Sequence, residues 1–164
     1  MKLIPLSRGL FCKVDDADYE FLMQWKWYAQ PATGGGYYAT RNLVIGSKRR
    51  TLHLHRLLVG SVEGLQVDHI NRDKLDNQRG NLRLATPSQN QANRKVRSSV
   101  TSGFKGVHKF KNGRGFMAQI TIARAHKCLG YFSHPEDAAR AYDRAATTAH
   151  GAFAFLNFPL DAPL

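Results

Sequence analysis

Between residues 51 and 100 the chain has no Phe, Tyr or Trp, whereas eight precede that stretch and nine follow it. Aromatic rings carry much of a small core's buried area. The middle stretch has only Leu, Val and Ile to bury and is too poor to fold unaided; it must lean on its neighbours or on a bound ion. This divides the chain into a small β-rich N-terminal segment at residues 1–50, an aromatic-free unit at 51–98 and a second aromatic-rich unit at 101–160. At 164 residues and 43% hydrophobic content, it has room for one average domain or two small ones and is no disordered tail.

Charge is equally uneven. The formal net charge is +12, and residues 77–135 contain eleven Lys and Arg without one Asp or Glu. A one-signed field costs self-repulsion unless a counter-charge relieves it, and phosphate is the expected counter-charge. Arg94 and Lys95, within this run, are expected phosphate contacts. No apolar run reaches the roughly 20 residues that span a bilayer, and the N-terminus has no signal-peptide apolar core, so a cytoplasmic protein without a membrane partner is expected. Two cysteines, Cys12 and Cys128, cannot make a Cys₄ or Cys₂His₂ zinc site; a disulfide is open to them, but two thiols in a basic chain fit a reducing compartment.

In the first segment, strands are expected at residues 2–6 and 9–14, a short helix capped by Asp15-Asp16, and a turn at Gly34-Gly35-Gly36 between residues 25–28 and 37–40. A further strand is expected at 50–54. In the middle segment, residues 64–70 alternate as a strand and residues 81–86 form a second, with Leu82 and Leu84 facing one way and Arg83 the other. Thr86-Pro87-Ser88-Gln89 reads as a capping box opening a polar helix to about Arg97. A helix so weak in propensity is kept for what its side chains touch.

This strand–loop–strand–helix unit holds Asp68-His69, Asn81 and Asn90. A carboxylate and an amide carbonyl are hard oxygen ligands suited to Mg²⁺ or Mn²⁺. Asp68 and Asn90 could share one ion, while His69, with an ordinary pKa of about 6.5, could take a proton from an attacking water.

The stretches Leu54-His55-Arg56-Leu57-Leu58-Val59, Val67-Asp68-His69-Ile70-Asn71, Asp76-Asn77, Asn81-Leu82-Arg83 and Gln89-Asn90 resemble the HNH (His-Asn-His) endonucleases, in the homing-type branch whose last motif residue is Asn. The resemblance implies an α+β fold with a ββα-metal core, Asp68 and Asn90 as metal ligands, His69 as general base, and Asn81 bracing the loop that orients it. His55 is read as structural support. Residues 1–50 are similar to the leader of phage versions of these enzymes.

In the last segment, residues 105–110, 115–123 and 127–132 read as three antiparallel strands, with Lys111-Asn112-Gly113 as a hairpin turn. Ser133-His134-Pro135-Glu136 reads as a capping box opening a helix with a small-residue stripe (Ala138, Ala141, Tyr142, Ala145, Ala149) that packs on the apolar sheet face and stops at Gly151. The motifs Lys105-Gly106-Val107, Phe116-Met117-Ala118-Gln119-Ile120, Leu129-Gly130-Tyr131-Phe132 and Leu156-Asn157-Phe158-Pro159 resemble the plant ethylene-response-factor type of DNA-binding domain. That resemblance implies DNA contacts from Lys105, His108, Arg114, Gln119, Thr121 and His126 on the open face. Cys128 stands where that family has a DNA-facing Trp, and several of its Arg positions are Lys, His or Thr here. Lys and His lack Arg's bidentate grip on guanine, so DNA binding carries over and a GC-rich target does not.

The combined expectation is a metal-dependent endonuclease that hydrolyses a phosphodiester bond at a specific site in double-stranded DNA. As a monomer it would nick; cutting both strands needs a homodimer or two successive events. The rival is a DNA-binding regulator in which the ββα unit is an inactive scaffold. The nuclease reading requires that solvent reach His69.

Overall fold

The computed structural model describes residues 1–96 and 101–159. The architecture is α+β, in two compact units, Met1–Pro87 and Ser88–Leu164.

In the first unit, β1 (Lys2–Pro5) and β2 (Phe11–Val14) pair antiparallel. Helix α1 (Asp16–Met23) follows, with Asp16 and Asp18 in its first turn, where the helix dipole favours carboxylates. Asp15 sits at the N-cap but makes no side-chain cap bond. Its carboxylate accepts instead from the Arg79 backbone N–H (2.8 Å) and from Gln78 Nε2 (3.3 Å). Strands β3 (Tyr28–Pro31), β4 (Tyr37–Ile45) and β5 (Lys48–His53) form an antiparallel sheet in that order. The three glycines between β3 and β4 all take left-handed φ (86°, 92°, 75°), which side-chain-bearing residues resist.

The strand expected at residues 50–54 ends one residue early, and a helix, α2 (Leu54–Val59), begins at once. At six residues it is too short for a helical period to be read, yet it puts both Leu54 and Leu58 into the core. Strands β6 (Gln66–His69) and β7 (Leu82–Ala85) pair antiparallel, setting Asp68 opposite Arg83 and His69 opposite Leu82.

One core joins Ile4, Cys12, Val14, Leu22 and Trp27 to Leu54, Leu58 and Leu82. The aromatic-poor stretch thus folds by sharing its neighbour's interior, and packing draws no boundary at residue 50. Helix α3 spans only Pro87–Ala92. Within the second unit, the Ala92 carbonyl accepts from the Phe155 N–H (3.0 Å) and from the Lys105 ammonium. Those bonds satisfy the helix end and remove the need for another turn. Arg97, the expected end of the helix, lies outside the described residues.

In the second unit, β8 (Val107–Lys109), β9 (Phe116–Ile122) and β10 (Ala125–Phe132) form an antiparallel sheet with β9 central. Helix α4 (Pro135–His150) covers one face, burying Ala138, Ala139, Ala141, Tyr142 and Ala146 in cores shared with Val107, Ala118 and Ile120. Two details differ from expectation. His134, not Ser133, is the N-cap and makes no side-chain cap bond; Pro135 starts the helix unaided. Ala149 is exposed, because the buried stripe drifts to Ala139 and Ala146. The helix stops at Gly151 in left-handed backbone (φ 51°). Among the described residues, no helix is long and apolar enough to cross a membrane.

Candidate functional site

Strand β6 ends in Asp68 and His69, each only 5% exposed. A buried carboxylate needs a paired cation. Arg83, its cross-strand neighbour, supplies one through Nε (2.9 Å) and Nη2 (2.8 Å), both to Oδ2. The sequence reading placed Arg83 on the strand face opposite Leu82 and Leu84 without assigning this role. A carboxylate offers about four lone-pair sites, and both bonds from Arg83 fall on Oδ2. Asn90, the other expected ligand, is half-buried on α3 in the second unit. Their oxygens are the hard donors that Mg²⁺ or Mn²⁺ takes. Among the described residues, no group of three or more His, Cys, Asp or Glu is arranged to hold a metal ion.

His69 lies in a cluster of rings. The His55 ring meets it edge-on at 5.2 Å, and the Tyr38 ring is 6.2 Å away. His53 lies 5.3 Å from His55 and 5.4 Å from Tyr38. Burial lowers the pKa of His69, against opposing pulls from the Asn77 amide and the carboxylates of Asp68, Asp73 and Asp76. Burial, followed by the charges of His69, His53 and Arg56, takes His55 down to about 3. His53 is lowered too, again chiefly by burial. Among the described residues, the buried Nδ1 atoms of His53 and His55 find no hydrogen-bond partner. The structure thus brings together His69, His55, His53 and Tyr38. Of these, Tyr38 and His53 were missed; a His-x-His running from the end of β5 into α2 was the signal available for one of them.

His69 Nε2 lies 3.4 Å from Oδ1 of Asn77, which is fully buried. Asn77 Nδ2 donates to Cys12 Sγ (3.4 Å) and to the Lys74 carbonyl (3.4 Å). The loop between β6 and β7 is stitched from both sides. Asn81 Oδ1 accepts from the Asn71 N–H (2.9 Å), while its Nδ2 donates to Asn71 Oδ1 (3.0 Å) and the Asp76 carbonyl (2.8 Å). On the other side, the Lys13 N–H donates to the Leu75 carbonyl (2.7 Å) and the Asn77 N–H to the Lys13 carbonyl (2.8 Å). Arg79 closes the loop with two 2.8 Å bonds to the Asp18 carboxylate and one of 3.2 Å to the Leu58 carbonyl.

In the second unit, His108, Gln119, Thr121 and His126 share the sheet face opposite α4, as the pairings His108–Met117, Gln119–Cys128 and Thr121–His126 dictate. Thr121 Oγ1 and His126 Nδ1 are 3.0 Å apart. Arg114 is exposed beside the β8–β9 turn. Lys105 is placed otherwise than expected: its ammonium turns to the Ala92 and Arg94 carbonyls, the latter at 2.8 Å, and so serves the chain after α3 and not the open face. Arg94 and Lys95 are exposed. Cys12 and Cys128 are both free thiols.

A second basic surface escaped the sequence reading. Beyond the end of β3, β4 and β5 continue as a two-stranded ribbon pairing Leu43, Val44 and Ile45 with Arg50, Arg49 and Lys48. Val44 is 69% and Ile45 60% exposed. Residues 21–62 also lack any Asp or Glu, a second acid-free run that gave the available signal.

Residues 53–92, which hold His53, His55, His69 and the loop that follows, match the family model described as HNH endonuclease. Among individual proteins, the chain is similar to an uncharacterized HNH endonuclease, L560, of Acanthamoeba polyphaga mimivirus. The two are 29% identical over 157 residues, covering 94% of this chain and 79% of the viral protein. Among solved structures it is similar to the HNH homing endonuclease I-HmuI, in a structure described as showing DNA binding and cleavage. There the identity is 26% and the TM-score 0.35. The alignment covers 68% of this chain and 64% of that one, so the chain spans less than two thirds of it.

Proposed function

We propose that this protein is a metal-dependent endonuclease that hydrolyses a phosphodiester bond in double-stranded DNA. The observation that carries the reading is a neutral, loop-anchored His69 immediately after the buried carboxylate of Asp68, inside the HNH-matching segment. His69 accepts a proton from water as the water oxygen bonds to phosphorus and the bond to the 3′ oxygen breaks. The products are a 5′-phosphate and a 3′-hydroxyl that takes its proton from solvent. Asp68 and Asn90 would hold the divalent ion, Mg²⁺ or Mn²⁺, which when bound neutralises charge on the phosphate oxygens. Asn81 acts through the loop by keeping Asn71 and Asp76 in place. Phosphate contacts come from Arg114, Arg94, Lys95 and the β4–β5 ribbon, while His108, Gln119, Thr121 and His126 face base edges. With one such site, a monomer nicks.

The small exposure of His69 favours one alternative, a DNA-binding regulator that keeps the module as a scaffold. Supercoiled plasmids carrying candidate target sites, incubated with Mg²⁺, with EDTA, and with His69→Ala, separate the two. The nuclease relaxes plasmid only in the first arm, and His69→Ala binds DNA as the parent does. Salt-dependent binding with no metal-dependent relaxation in any arm establishes the regulator.

A further inference from the structure

Asn77 is the most enclosed polar side chain in its unit and belongs to none of the roles assigned above. Its amide is oriented by its surroundings. The Lys74 carbonyl can only accept a hydrogen bond, so the amide nitrogen must face it. The same nitrogen reaches Cys12 Sγ. Burial pushes the Cys12 thiol up to about 12, so the sulfur stays protonated, pointing its own proton toward the Lys13 carbonyl (3.9 Å) and accepting from Asn77. With both donor contacts made on one side, Oδ1 is the atom left for His69. An amide oxygen offers no proton. His69 Nε2 must therefore carry the hydrogen, and in a neutral imidazole the lone pair then resides on Nδ1.

We infer that Asn77, locked in place by Cys12 and the Lys74 carbonyl, is a positioning residue that fixes His69 as the Nε2–H tautomer and assigns proton acceptance to Nδ1. Its functional part rests on His69 acting as a base; its structural part does not. The backbone of β2 reinforces the lock, since Lys13 bonds to both Leu75 and Asn77 and holds the side chain's own main chain in register. Strand β2, far from the motif in sequence, thereby selects which nitrogen of the base is reactive.

Long-range ¹H–¹⁵N correlation spectra of the ¹⁵N-labelled full chain at neutral pH read the tautomer directly, with His69→Gln identifying the resonance. The wild type should show Nε2 protonated; a protonated Nδ1 overturns the inference without any variant, which covers the case in which Asn77→Ala does not fold. Asn77→Ala should give a mixture of tautomers, and Asn77→Asp, which keeps an acceptor toward Nε2, should restore the wild-type form. An unchanged tautomer in Asn77→Ala also overturns it. In plasmid nicking, Asn77→Ala should lower turnover roughly tenfold at unchanged DNA affinity, the scale of one lost hydrogen bond. If the tautomer responds as stated while the wild type nicks nothing, the lock stands and the nuclease reading falls.

Discussion

His55 shows how a residue can serve this site without touching a substrate. It is buried beside two other imidazoles and Arg56, and a proton on it would add a charge where none can be solvated. Its ordinary pKa of 6.5 falls to about 3 in the fold. Between those values the unfolded chain binds a proton that the folded chain refuses, so stability rises with pH across that window. The contribution is fully present above about pH 6.5 and is lost as pH falls toward 3, at about 1.4 kcal/mol per pH unit. His53 and His69 shift in the same direction and add to the slope. Urea unfolding of the wild type should therefore weaken steadily below pH 6.5, while His55→Leu should flatten the curve over pH 4–6.5. Parallel curves for the two proteins would mean that another group carries the acid sensitivity.

Among the elements, legibility followed the length and strength of each local signal. Strand β9 and helix α4 alternate or repeat over seven or more residues, and their existence and facing were readable from sequence. Helix α2 has six residues and no side-chain cap at its N-terminus, so its burial of Leu54 and Leu58 is what reveals why it forms. Asp15 looked like a cap because local rules cannot see Arg79, sixty-four residues on. The pairing of Asp68 with Arg83 was out of reach for a related reason: it depends on strand register, which no single strand's pattern fixes. The approach of β8 to α4 has the same character. Gly106 holds φ at +73°, and a Cβ there would run into the Tyr142 ring. Gly106→Ala combines left-handed strain with overpacking, each costing on the order of 1–3 kcal/mol. Its melting temperature should drop well below that of the wild type in calorimetry. An unchanged melt would show that β8 can stand off the helix freely.

On the scale of the whole molecule, the positive charge is concentrated in two acid-free runs, residues 21–62 and 77–135, the second of which crosses from the first unit into the second. Lys48, Arg49 and Arg50 are exposed on the ribbon, where they bridge to no carboxylate in the structure described. Their heads are therefore available to phosphate, and a two-stranded ribbon is narrow enough for a DNA major groove. Each phosphate contact releases counterion and steepens the dependence of affinity on salt by about 0.9 in log–log slope. Changing Lys48, Arg49 and Arg50 together to Gln should then flatten that slope by up to about 2.7, and Arg114→Ala by about 0.9. Exposed side chains contribute little to packing, so the melting temperature should stay within the small range typical of surface changes. The combination matters, because a loss of affinity with an unchanged slope would indicate damage to the fold or to base contacts. If neither variant changes the slope, DNA approaches by some other face, and the excess positive charge at the ribbon and at the β8–β9 turn serves solubility alone.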